Sequence, residues 1–315
     1  RAKVIDELKA ITRGPMSLHA RNKEDSRSAI YASNYEAASI GNHGKTIHKH
    51  LIQPMLKKVL NVDPHELDAV FHRNGWVPLF YPETLLTQFS DNPQELRPTS
   101  FHYPNDTYFG SFVEKVTKRV ASLDNVQVLN NVSITEVDRK KKCVICDEGI
   151  FEFDLLAWEH DIDILAPEYE FSKITSEQSR ANLALFFTEV ESGGIGTPFS
   201  VVTDPCSDSE FYRVTDQTVC SAIENNTHRI IFEANADNLL SDDLNDVGTI
   251  SEIASLLDID RDAVKQISGF RFNGALTVPN TLNMAAYQER HARLTAELTD
   301  IYLMGRSSGY IAATL

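Results

Sequence analysis

The last fifteen residues, 301–315, read IYLMGRSSGYIAATL. Residues 301–304 make a short apolar strand that runs into Gly305-Arg306 and a turn of small residues. At such a strand-to-turn junction, backbone N–H groups and a positive helix end can meet an anion. Gly305 lets the backbone come close, and Arg306 adds a planar, permanently charged fork for phosphate or carboxylate. Taken alone, the pair reads first as a capped surface turn and only second as a ligand site.

A second segment, 108–167, carries the same kind of architecture. Phe109, Phe112, Val113, Val116, Val120 and Leu123 recur at helical spacing, which predicts a helix with one buried face. Strands then follow from NVQVL onward, with a turn at Asp147-Glu148-Gly149 and an apolar strand at 155–158. This order of helix, strand, strand, hairpin and apolar strand resembles the middle of two-domain FAD proteins of the amine oxidase and protoporphyrinogen oxidase type. Four further stretches resemble the UDP-galactopyranose mutase-like branch: IHKHLIQPMLKKVLNVDPHEL (47–67), FHYPNDTYF (101–109), FYRVTD (211–216) and ALTVPN (275–280). In the first, Leu60 stands where that branch carries tryptophan.

The resemblance implies a partial two-domain FAD-oxidoreductase fold, mixed α/β, with an antiparallel substrate-domain sheet and a helical segment. It implies FAD as cofactor, with Val132, Gly305 and Arg306 touching it. Arg213, with Tyr212 and Tyr310, is implied on the substrate side, Arg213 meeting a diphosphate. Residues 311–314 depart from that branch's polar and aromatic pattern, which puts the mutase reaction itself in question. No catalytic residue is assigned. The G-x-G-x-x-G turn of a βαβ cofactor unit is not found, so the sequence is expected to be a fragment with roughly a hundred residues preceding it.

Arg213 has a reading of its own. Mid-strand between Tyr212 and Val214, an unpaired buried charge would be costly, so it faces solvent, pairs with Asp216 or Glu210, or meets an anion. The cysteines and histidines offer less. Four cysteines in 315 residues make no disulfide framework and fit a reducing, cytoplasmic setting. Cys143 and Cys146 form a C-x-x-C, but residues three apart on a strand face opposite ways, so no zinc or redox site is expected. His48 and His50 are two apart and cannot share a helix face, and no metal site is expected among the ten histidines. The cluster Gly193-Gly194-Ile195-Gly196 reads as a turn with no helix after it.

A net charge of −15 argues against a nucleic-acid surface, and no run approaches the ~20 apolar residues of a membrane span. The chain divides into a helical substrate-side segment (1–100), an insertion of the FAD-binding domain (101–166), an antiparallel-sheet substrate domain (167–290) and a return to the FAD-binding domain (291–315). In the sheet domain, strands are expected at 183–190, 199–203, 210–215, 218–223 and 229–234. A helix follows with Leu256 and Leu257 on its apolar side. The expected activity is that of a flavin oxidoreductase on a small or nucleotide-sugar substrate. The alternatives are a mutase-like isomerase and a binding domain that has lost its cofactor.

Overall fold

The computed structural model describes residues 1–13, 34–69, 82–89, 109–176, 180–191, 195, 199–204, 208–220, 227–240, 247–278 and 281–308. The helical part comprises α1 (Ala2–Thr12), α2 (Tyr35–Ile47) and α3 (Gln53–Leu60). Asn34 caps α2, its side chain accepting from the Ala37 N–H at 2.9 Å. The chain kinks at Gly44, whose φ of 82° suits glycine, and a Cβ there would strike the Glu7 side chain. That same Glu7 carboxylate accepts from the N–H and the hydroxyl of Thr46, both at 2.8 Å. The kink of α2 is therefore fastened to α1.

A π-helical turn, His48–Ile52, joins α2 to α3, and Asn61 in the left-handed conformation closes α3. Inside this bend lies a buried polar group. The Ser39 hydroxyl is 3.2 Å from His43 Nδ1 and 3.0 Å from His48 Nδ1. A hydroxyl has one proton and two lone pairs, so it can donate to at most one of the two nitrogens and must accept from the other when both contacts are hydrogen bonds. His48 Nε2 has no hydrogen-bond partner among the described residues, with Glu36 Oε1 3.9 Å away.

Next along the chain are α4 (Phe109–Ala121) and the strands β1 (Ile134–Asp138), β2 (Cys143–Cys146), β3 (Gly149–Glu152) and β4 (Leu156–Trp158). β1, β2 and β3 form an antiparallel meander. The helix forms as its spacing predicts, yet Phe109, Phe112, Val113 and Val116 on its apolar side are exposed. Residues 124–133, expected to open with a strand at NVQVL, carry no strand.

The largest element is a five-stranded antiparallel sheet. Its strands are β5 (Arg180–Glu191), β6 (Val201–Thr203), β7 (Phe211–Asp216), β8 (Thr227–Asn235) and β9 (Val264–Thr277), in the order β6-β7-β8-β5-β9. One face packs Ala184, Phe186, Val214, Ile230 and Phe232 against Ile253 of α5 (Val247–Leu257). α5 buries Thr249, Ile253 and Ala254, whereas Leu256, expected inside, is exposed. The strand expected at 218–223 is not formed in its described part: Gln217–Cys220 is helical. The Asp216 carboxylate accepts from the Thr218 N–H at 2.9 Å, and this local turn ends β7. Of the cluster around Gly193, only Ile195 is among the described residues.

The chain closes with α6 (Thr281–Glu297), which runs through residue 290, and β10 (Ile301–Leu303), which pairs in parallel with β4. Val137, Trp158 and Leu165 form the small core beneath this pair. Phe171, Tyr287 and Leu294 pack α6 on the segment after β4, and burial pushes the Tyr287 hydroxyl up to about 12. No helix among the described residues is long and apolar enough to cross a membrane.

The helical part is joined to the sheet through α3. The Asn235 side chain, 1% exposed, donates to the Val59 carbonyl at 2.9 Å, and Asn238 donates to the Lys58 carbonyl at 3.2 Å. These are last-turn carbonyls with no partner inside the helix. Asn235→Ala is expected to lose about 1–3 kcal/mol, read from the midpoint of urea unfolding at constant slope. His48 makes a second forecast. Burial holds its imidazole below the ordinary 6.5, with Glu36 opposing. Below pH about 6.5 the unfolded chain takes up the proton first, so His48 contributes stability above that pH and loses it as the pH falls through its folded value. His48→Gln should flatten the dependence of unfolding free energy on pH just below about 6.5; an unchanged slope would assign it to other groups.

Candidate functional site

Directly opposed residues of an antiparallel sheet share a face, so the pairing register lists what the uncovered face of the five-stranded sheet presents. One row across it reads Thr203, Arg213, Glu233, Leu185 and Phe270. The next reads Val201, Thr215, Ile231, Phe187 and Ser268, and a third joins Arg229 to Glu189. Phe187, Phe270 and Phe272 are exposed there, with Phe187 and Phe270 meeting edge to face, centroids 5.7 Å apart. A trough of about 290 Å³ crosses β8, β5 and β9, lined by Phe187, Ile231, Ser268, the Arg229–Glu189 pair and Gln217 from the turn after β7.

Arg213 is held by a partner that sequence reasoning did not name. Its Nε donates to Glu233 Oε1 at 2.5 Å and its Nη2 to Glu233 Oε2 at 2.7 Å, a two-pronged pair between neighbouring strands. Glu233 is 5% exposed and the arginine side chain about a third exposed. The expected partners are placed elsewhere. Asp216, fully buried, binds His228 Nδ1 at 2.6 Å, and Glu210 accepts from the Leu240 N–H at 2.7 Å. The signal for Glu233 was an acidic residue inside the apolar run RIIFEAN, legible only once β7 and β8 are in register.

Tyr212 lies on the same face as Arg213 and reaches the same carboxylate, but is buried. The register shifts between Phe211 and Arg213, and with this bulge both Phe211 and Tyr212 are buried. Tyr212 enters the core of the helical part, where burial, reinforced by Glu233, raises the pKa of its hydroxyl. That hydroxyl donates to Glu233 Oε2 at 3.5 Å. Tyr310 lies outside the described residues.

The residues expected at the cofactor lie on the other sheet. Gly305 follows β10 with φ 49°, and the place a Cβ would take there is filled by the Glu159 carboxylate. The turn is fixed by the Met304 N–H, which donates to the Trp158 carbonyl at 2.8 Å, and by the Ser307 hydroxyl, which donates to the same oxygen at 2.6 Å. Arg306 belongs to the same 3-10 turn, Gly305–Ser308. Val132 is half-buried beside Ser133, whose N–H donates to Asp147 at 2.9 Å. On β2, Cys143 is buried, and Cys146, half-buried, directs its thiol to the Gly149 carbonyl at 3.5 Å. No group of three or more metal-ligating side chains occurs among the described residues.

The Arg213–Glu233 pair can be tested by itself. Glu233→Ala leaves a partly buried guanidinium without its fork and should cost about 1–3 kcal/mol. Arg213→Ala should leave a nearly buried carboxylate and cost a similar amount, while the double variant loses less than the sum. Additive losses would show that the two do not depend on each other.

No protein-family model and no curated protein matches the sequence. Solved structures do match. A reduced UDP-galactopyranose mutase superposes with a TM-score of 0.70 at 15% identity, over 98% of this chain and 66% of that one. A structure named for protoporphyrinogen oxidase, from Exiguobacterium sp. 255-15, gives 0.60 at 12% identity, over 87% and 62%. Putrescine oxidase bound to putrescine gives 0.53 at 12%, over 98% and 69%. The chain thus spans just under two thirds of the first two. At these identities the likeness is one of fold: the chain has the mixed α/β fold, with its antiparallel sheet, that the mutase and the two oxidases share.

Proposed function

We propose that this chain is the substrate side, and the return strand to the cofactor side, of an FAD-dependent flavoprotein of the amine oxidase type. The observation that carries the reading is the uncovered face of the five-stranded sheet: an aromatic and ion-paired surface on a fold shared with the mutase over 98% of the chain. The divisions 1–100, 101–166, 167–290 and 291–315 are kept as proposals. The parallel pairing of β4 with β10 supports grouping the second with the fourth. Parallel strands are ordinarily covered on both faces, yet Tyr302, Met304 and the apolar side of α4 are exposed. A further layer of parallel β and α structure would cover them.

The Gly305 turn follows the carboxyl end of the β4–β10 pair, the edge at which parallel strands meet their ligands. Gly305, Arg306 and the backbone at Val132 would hold FAD, which when bound supplies the electron chemistry. The work of the chain itself is positioning. Phe187, Ile231 and Phe270 would give a bound substrate an apolar surface to lie on, and Glu233 fixes the Arg213 guanidinium. Arg213 then presents an oriented positive group to the anionic part of a small or nucleotide-sugar substrate. The mutase likeness favours a second reading, isomerisation of a nucleotide sugar on the same face.

The experiment is a pair of variants in the protein completed by a βαβ cofactor unit. Arg213→Ala should weaken substrate-anion binding by about one to two orders of magnitude with flavin retained. Arg306→Ala should release flavin and keep the fold, read by visible absorbance. The chain without that unit should show no flavin bands after purification. Equal flavin loss in both variants, or no ligand affected by Arg213→Ala, would overturn the assigned roles.

A further inference from the structure

We propose that the Arg229–Glu189 end of the trough is a seat for a zwitterionic group, an ammonium and a carboxylate carried close together beside an apolar body. The seat lies on the face that the proposed function uses, at the end away from Arg213. It is a seat of recognition rather than reaction, so it stands whether or not the chain serves a flavin. Counted along β8, Arg229 is two residues from Ile231 and four from Glu233. At ~3.4 Å per residue, the Arg229–Glu189 row lies roughly 7 Å from the Ile231–Phe187–Ser268 row and roughly 14 Å from the Arg213–Glu233 row.

The two ion pairs of this face differ in how firmly they are made. Glu233 is nearly buried and holds Arg213 at both Nε and Nη2. Arg229 donates from Nε to Glu189 Oε1 at 3.2 Å, and these two side chains are 52% and 39% exposed. An exposed pair of this kind contributes little and opens readily. The backbone beneath it is nonetheless fixed. The Arg229 N–H donates to Thr218 Oγ1 at 2.8 Å, and the Thr218 N–H donates to the fully buried Asp216. That same turn brings Gln217 to the rim of the trough.

Chemistry then selects the occupant. A lone anion on Arg229 would set a second negative charge beside Glu189, and a lone cation on Glu189 would crowd the guanidinium, so each gains one attraction and meets one repulsion. A zwitterion parts the pair and answers both members, its ammonium on Glu189 and its carboxylate on Arg229, so that the four charges alternate. Being neutral overall, it is not held off by the chain's charge of −15. Its apolar body then has Phe187 and Ile231 to lie on, in a trough whose volume of about 290 Å³ suits a small molecule.

The test titrates the chain near neutral pH with phenylalanine, 3-phenylpropionate and 2-phenylethylamine, which share a ring and differ in charge, while the amides of Ile231 and Ser268 are followed by NMR. Phenylalanine should move both resonances and bind about fivefold tighter than either single-charge analogue. Glu189→Gln should bind phenylalanine and 3-phenylpropionate alike, and Arg229→Gln should bind phenylalanine and 2-phenylethylamine alike. A general loss of structure would not give that crossed pattern. Equal affinity for the three ligands in the parent, unchanged preferences in the variants, or no response at Ile231 and Ser268 would overturn the proposal. Flavin is not read in this experiment, so failure of the flavoprotein reading would show separately in the Arg213 and Arg306 variants.

Discussion

Everything around the sheet's uncovered face depends on how α3 ends. A helix leaves its last carbonyls without partners, and a buried helix end without them would be costly. Here the Val59 and Lys58 carbonyls are taken by Asn235 and Asn238, which belong to the end of β8 and the turn after it. Lys58 returns the contact from the helix side, its ammonium donating to the Asp204 carbonyl at 3.0 Å. The joint is polar at its rim and apolar within: Met55, Leu56 and Val59 share one core with Tyr212, Ala181 and Val278 of the sheet side. The sheet is thereby bounded at one end by helix, while Phe187 and Phe270 at the other remain in solvent.

The bulge in β7 serves that arrangement. Regular alternation would send Phe211 and Tyr212 to opposite faces. These two do part, Phe211 joining the core against α5 and Tyr212 the core of the helical part, but the register shift then sets Arg213 beside Tyr212 on one face, both reaching Glu233. One irregular residue step thus lets a single strand feed two cores and the candidate site.

Legibility in the sequence followed how local each signal was. α1, α4, the Asp147-Glu148-Gly149 turn and β4 each announce themselves within a dozen residues, by spacing or by turn chemistry. β9 did not, because Gly269 and Gly274 and the charge of Arg271 interrupt its alternation, and its pairing with β5 supplies what its own pattern lacks. Over its described part, 218–220, the strand expected at 218–223 gave way to a local bond, the Asp216 side chain to the Thr218 amide, which outweighs the β propensity of Thr218 and Val219. The Ser39, His43 and His48 group escaped because it spans a glycine kink and a π-helical turn, where the helical count of 3.6 no longer says which residues meet. Arg213 was legible as a charge in need of an answer, and Glu233 as that answer was not, since register is set by the whole face rather than by neighbours in sequence.

The uncovered face carries its charges as answered pairs, Arg213 with Glu233 and Arg229 with Glu189, set among aromatic and aliphatic side chains. Such a face has little net field, so it selects by geometry more than by long-range attraction, in keeping with a chain whose overall charge of −15 would repel an anionic ligand at a distance. An anion reaching Arg213 must share a guanidinium already held by a nearly buried carboxylate, and the cost of that sharing falls on the ligand. On the second sheet the Glu159 carboxylate likewise stands against the Gly305 backbone. Both places therefore set a carboxylate acceptor in position, and the charge each shows is decided by its own neighbours rather than by the net charge of the chain.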